Sequence, residues 1–158
     1  MKSVKVVDMG GGRFEVRTDT ATLTVDRSVG EGGSGGAFRP VELLLAAIGA
    51  CTAGTIRTFA VNESIVGFGG VNVLVEAEEA SKPERIGTVS VTLQFASEIA
   101  TSDVARLSRV GAHCKIHNTL KRPPETTIGV QDYPMAPTSD GGERTLDQNE
   151  TENSSGLV

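Results

Sequence analysis

The segment VELLLAAIGACTAGTI, residues 41–56, constrains this chain more than any other. It follows Pro40, which suits the first turn of a helix because an N–H there has no intrahelical partner, and Glu42 sets negative charge at the positive end of the helix dipole. The resulting helix runs to about Val61 and is apolar almost all round, so it belongs inside a core. At about 100° per residue, Cys51 shares its face with Leu44, Ala47, Ile48, Gly54 and Thr55, mostly small side chains that let another backbone come close.

The surrounding sequence reads as sheet. SVKVVDM (3–9), RFEVRT (13–18) and ATLTVDR (21–27) are three short strands, the latter two with Phe14, Val16, Leu23 and Val25 alternating with polar neighbours. GEGGSGG (30–36) reads as a flexible loop. VNVLVEAEEA (71–80) and GTVSVTLQFAS (87–97) form a hairpin around SKPER, on the same sheet or a neighbouring one. Thr101 or Ser102 caps a second helix, in which Val104, Leu107, Val110, Cys114 and Ile116 recur until KRPPE stops it. TTIGVQDY (126–133) offers a last strand, which sets a domain of residues 1–133 and a polar, flexible tail of 134–158.

With 158 residues the chain has enough length for one core, and because aromatic residues are 4% with no tryptophan, aliphatic packing carries it. The net charge of −5 and the lack of a Lys/Arg run argue against nucleic acid or an anionic membrane as partner. The start lacks the apolar stretch of a signal peptide, and no window approaches the ~20 apolar residues of a membrane span, so a cytoplasmic location is expected. Two cysteines in a reducing compartment point to redox work or metal binding ahead of a structural disulfide.

GEGGSG (30–35) satisfies G-x-G-x-x-G between a strand and a helix, but the strand belongs to an antiparallel meander, the helix opens five residues after Gly35, and no acidic residue ends a second strand ~20 residues on. No Gly-Lys-Ser/Thr follows to make a phosphate loop. A metal site would join Cys51, Cys114, His113 and His117, yet His113 points about 100° away from Cys114 and no C-x-x-C supports the count, so neither metal nor cofactor is expected. Each cysteine alone also reads as a small buried hydrophobe; their shared position on core-facing stripes of two helices favours a joint role.

RPVELLLAAIGACTAGTI (39–56), followed some sixty residues later by HCKIHNTL (113–120), resembles the OsmC/Ohr family of osmotically induced and organic-hydroperoxide-resistance proteins. The resemblance covers about residues 1–133. It implies an α+β fold of antiparallel sheets with two long, buried, cysteine-bearing helices, an intertwined homodimer, and active sites at the subunit interface that reduce organic hydroperoxides and are recycled by lipoyl-type dithiols. By position Cys51 matches the peroxidatic cysteine and Cys114 the resolving one. Arg13 resembles the catalytic arginine, with Arg27 and Arg39 as alternatives. The family's arginine-holding carboxylate directly follows the helix-opening proline, where this chain has Val41; Glu42 comes one residue later, about 180° around the helix from Cys51. Lys115-Ile116 also replaces the Pro-Val of many members, which assigns the chain to a less studied branch. Two functions follow: a thiol-dependent peroxidase, or a non-enzymatic OsmC-like protein that binds a ligand or senses redox state.

Overall fold

A computed structural model describes residues 2–96 and 98–132. The chain separates into two units, Met1–Pro124 and Glu125–Val158. The expected boundary after residue 133 and the tail 134–158 lie outside the described residues. In the second unit, residues 125–132 form neither helix nor strand, so the strand expected over 126–133 is not made in its described part. Ile128 and Val130 alternate as a strand would, but they are 94% and 98% exposed, and alternation without a neighbouring strand leaves backbone groups to water.

The first unit is α+β with antiparallel pairing, as expected. Strands β1 (Lys5–Gly10), β2 (Arg13–Arg17) and β3 (Thr22–Asp26) form a meander in the order β1-β2-β3. Phe14 faces Val25 and Val16 faces Leu23 in register. Helix α1 (Pro40–Asn62) follows, then the long hairpin of β4 (Val71–Ser81) and β5 (Glu84–Phe95), which is a separate two-stranded sheet.

The glycine-rich loop is held in place, not loose. Asp26, 1% exposed, accepts hydrogen bonds from the backbone N–H groups of Arg27, Ser34 and Gly36 and from the Ser34 hydroxyl. A side chain at Gly33 would collide with the Arg27 carbonyl and the Asp26 carboxylate, so the glycine allows the loop to wrap this acceptor. Residues 29–31 make a 3-10 turn, with the Ser28 N–H and hydroxyl both donating to Glu31.

The second helical segment also departs from expectation. It is broken into α2 (Thr101–Gly111) and α3 (Lys115–Lys121), with Cys114 as the N-cap of α3 and not inside a helix. The core lies between α1, α2 and the hairpin: Ile56, Ala60, Ile99 and Leu107 are buried, with Phe59, Phe68, Leu93 and Phe95 packed around them. Arg106 ties α2 to the end of α1 through Glu63 at 2.9 Å and lies over the Phe59 ring.

Within the chain, α1 buries one stripe, Ile48, Thr52, Ile56 and Ala60, at the i, i+4 spacing of a single helix face. Cys51 lies at the edge of that stripe, half-buried. Contrary to expectation, α1 is long and apolar enough to cross a membrane, its most apolar window having a mean hydropathy of 1.5. Through that stripe it packs on β4, α2 and α3, and 22% of the window is buried within this chain.

Candidate active site

Two close approaches set α1 on the hairpin and bring the Cys114 turn onto the helix of Cys51. Gly49 lets α1 settle on β4, where a Cβ would stand 3.2 Å from Val75. Gly111, buried at the end of α2, lies against Ile56 and Thr52, and a Cβ there would come within 2.9 Å of the Ile56 side chain. Glycine at that point brings the α2–α3 turn, and Cys114 with it, onto the side of α1.

Cys114 is 1% exposed. Its sulfur is 3.5 Å from the Thr52 hydroxyl and accepts the His117 backbone N–H at 3.4 Å, which satisfies one of the free donors opening α3. Thr52 follows Cys51 on α1, so the Cys114 sulfur lies against the helix turn that carries the other thiol. Burial pushes the Cys114 thiol up, but the Thr52 hydroxyl, the His117 N–H, the Cys51 side chain and the Ile116 N–H outweigh this, and the thiol is held below its ordinary value. These donors favour a thiolate. Both cysteines are free thiols.

Cys51 opens onto a depression of about 580 Å³ lined by Gly54, Thr55, Thr58, Phe59 and Val110. One thiol is thus approachable and its neighbour is buried, which suits chemistry passed from the first to the second. Thr52 was not foreseen as a partner of Cys114: it is neutral and inconspicuous beside Cys51, and its importance comes from its place in the buried stripe.

The cationic candidates lie elsewhere in the chain. Arg13 opens β2, opposite Asp26. The Arg27 backbone N–H donates to the Gly12 carbonyl at 3.2 Å. Arg39 donates to Glu42 from Nε at 2.9 Å and Nη2 at 2.6 Å, and its backbone N–H donates to the other Glu42 oxygen at 2.9 Å. That N–H and then the guanidinium hold the Glu42 carboxyl below its usual range. Glu42 therefore does hold an arginine, in the first turn of α1 and nine residues before Cys51. Among the described residues, no arginine donates to either cysteine. His113 Nδ1 lies 2.8 Å from the Arg109 carbonyl oxygen, and no group of three or more His, Cys, Asp or Glu side chains among the described residues converges on a metal position.

The sequence pattern of the OsmC-like protein family matches residues 32–129, the span that holds both cysteines. None of the curated proteins matches this sequence significantly. Among solved structures, the fold is similar to the OsmC-like protein of Mycoplasma pneumoniae, with a TM-score of 0.67 at 18% identity over 78% of this chain and 89% of that one. It is also similar to an organic hydroperoxide resistance protein OsmC from Legionella pneumophila, with a TM-score of 0.60 at 21% identity over 77% and 90%. The organic hydroperoxide resistance protein OhrB of Bacillus subtilis gives a TM-score of 0.56 at 16% identity over 77% and 92%. With the shared fold, the paired thiols and a family match across more than half its length, the chain belongs to the OsmC-like protein family.

Proposed function

We propose that this protein is a thiol-dependent peroxidase that reduces organic hydroperoxides. The observation that carries the reading is that Cys114, buried among hydrogen-bond donors, has its sulfur 3.5 Å from the hydroxyl of Thr52, the residue after Cys51, which is itself half-buried on an open depression. The Cys51 thiolate attacks the terminal peroxide oxygen; an S–O bond forms, the O–O bond breaks, and the departing alkoxide takes a proton to become an alcohol. Cys114 then attacks the sulfur of the resulting sulfenic acid, forming the disulfide and releasing water before further oxidation at Cys51. A lipoyl-type dithiol returns two electrons by exchange. Apolar lining such as Phe59 and Val110 favours organic peroxides over hydrogen peroxide by ~25 cal/mol for each Å² buried.

The working form is a homodimer in a reducing compartment such as the cytoplasm. Val4, Val6, Leu23 and Phe38 around the N-terminal sheet and Val41, Leu44 and Val61 on α1 are exposed within one chain, more apolar surface than water favours. Arg13, with Arg27 and Arg39 as alternatives, supplies the cation for Cys51 once the second chain is in place, and Glu42 holds Arg39.

Cys51→Ser abolishes consumption of cumene or tert-butyl hydroperoxide in the presence of dihydrolipoamide, while Cys114→Ser leaves Cys51 open to over-oxidation. A wild type that consumes no hydroperoxide with any dithiol defeats this reading. The distance of every described guanidinium from hydrogen bonding to the thiols favours, as the second reading, a binding or redox-sensing protein without turnover. Iodoacetamide labelling of Cys51 across pH separates them, since an unassisted thiol is alkylated with an apparent pKa near ~8.5.

A further inference from the structure

Helix α3 depends on its cap more than on its own side chains. It has seven residues, about two turns, and a helix this short is marginal unless its ends and its packing hold it. None of Lys115–Lys121 is fully buried, whereas Cys114, the residue that caps them, is 1% exposed. Packing on the hairpin is incomplete: depressions of about 270 and 170 Å³ remain there, each lined by Val89 and Val91 of β5 and by His117 of α3. Beyond the cap, the Asn118 side-chain amide donates to the His113 carbonyl at 3.1 Å, and the Arg122 N–H donates to the Asn118 carbonyl at 3.1 Å. A segment with so little buried surface belongs to the low-stability end of a fold.

The Cys114 sulfur serves two structures at once. It accepts the His117 backbone N–H at 3.4 Å, which closes the first turn of α3, and it lies 3.5 Å from the hydroxyl of Thr52, the residue after Cys51 on α1. A thiolate is a charged acceptor and fills the capping place well; a disulfide sulfur is neutral, accepts weakly and is directed along its bond to the other cysteine. The cap is therefore given up when the bridge forms.

We propose that oxidation of Cys51 and Cys114 to a disulfide releases the N-cap of α3 and loosens Lys115–Lys121, so that the order of this helix follows the redox state of the thiol pair. The bridge is that of the proposed function, on which the inference rests; the cap itself needs no turnover. Forming the bridge takes two electrons and two protons from the thiols. In the peroxidase cycle these convert the hydroperoxide to an alcohol and water; in the test below they pass to diamide, whose N=N bond becomes a hydrazine.

Amide hydrogen exchange over residues 115–122 reports the order of α3, and exchange around Ile56 in α1 reports the rest of the fold. In the reduced protein Cys114→Ala, which has no side-chain acceptor, raises α3 exchange on the order of fivefold, the effect of losing one cap, while Cys114→Ser keeps an acceptor and stays near wild type. Wild type treated with diamide, its bridge verified by mapping unreduced peptides, matches Cys114→Ala, and dithiothreitol reverses the change. Exchange around Ile56 stays the same throughout. A bridge that forms with no rise in α3 exchange, Cys114→Ala exchanging like wild type, or an equal rise around Ile56 overturns the proposal and leaves the proposed function standing. No Cys51–Cys114 bridge under diamide overturns both.

Discussion

The β1–β3 sheet and the β4–β5 hairpin carry the same alternating pattern but meet different surroundings within one chain. Val71, Val73, Val75, Val91, Leu93 and Phe95 are half-buried or better on the hairpin, where α1 and α2 cover one face and close the core on Ile56 and Leu107. On the N-terminal sheet Val4, Val6 and Leu23 remain exposed, Val25 and Asp26 are its buried residues, and Val25 is joined to Phe38 by an isolated bridge. Alternation decides which side of a strand is apolar and leaves open what covers it. The helical half assembles both thiols by itself; the N-terminal half, which carries Arg13 and Arg27, presents an apolar face suited to a second chain.

That contrast breaks first in the core. Leu107→Ala removes a side chain with no exposed surface and lowers unfolding stability by about 2–5 kcal/mol in denaturant titrations; a loss under 1 kcal/mol would remove the claim that the helical half carries the core. Phe38→Ser alters a side chain that is 51% exposed in the single chain. It weakens self-association on the order of tenfold by sedimentation, about 1.4 kcal/mol, and unchanged association would show that this face is not the dimer surface.

Thr52→Val keeps the shape and removes the hydroxyl beside Cys114, a hydrogen bond worth about 1 kcal/mol. The thiol is depressed in the folded protein, so its contribution is complete above the ordinary value of 9.0 and is lost as pH falls through the folded value. The variant moves the Cys114 titration upward, read by thiolate absorbance in a Cys51→Ser background, and its stability deficit grows as pH rises. A downward shift or none would contradict the role given to Thr52.

The smallest effect is expected at Asp26. The Ser34 hydroxyl, against the cost of burial and with help from the backbone N–H groups of Ser34, Gly36 and Arg27, holds its carboxyl below the ordinary value of 3.8. Its stabilisation is present above that value and is lost as pH falls through the folded one. Asp26→Asn flattens this acid limb in hydrogen exchange of residues 30–36; an unchanged profile would detach the loop from Asp26.

Strands and α1 were legible because their periods are local: Pro40 marks the helix start, and alternation marks each hairpin strand. The break at Cys114 was hidden for two reasons. Val104, Leu107, Gly111 and Cys114 keep a helical spacing of three or four straight across it, and cysteine is not among the side chains that announce an N-cap. Asp26 looked like the end of a strand because its partners come eight and ten residues later along a loop whose glycines suggested freedom. The thiol pair was legible through family resemblance; Thr52 was not, since only the packing of Gly111 on α1 makes it a neighbour of Cys114.

The most direct test treats the reduced protein with one equivalent of cumene hydroperoxide and maps its peptides by mass spectrometry without reduction. The expected result is a Cys51–Cys114 disulfide formed in step with peroxide loss and reversed by dihydrolipoamide. Peroxide consumed with Cys51 driven to the sulfinic acid while Cys114 stays a free thiol, or no change at either cysteine, would contradict it.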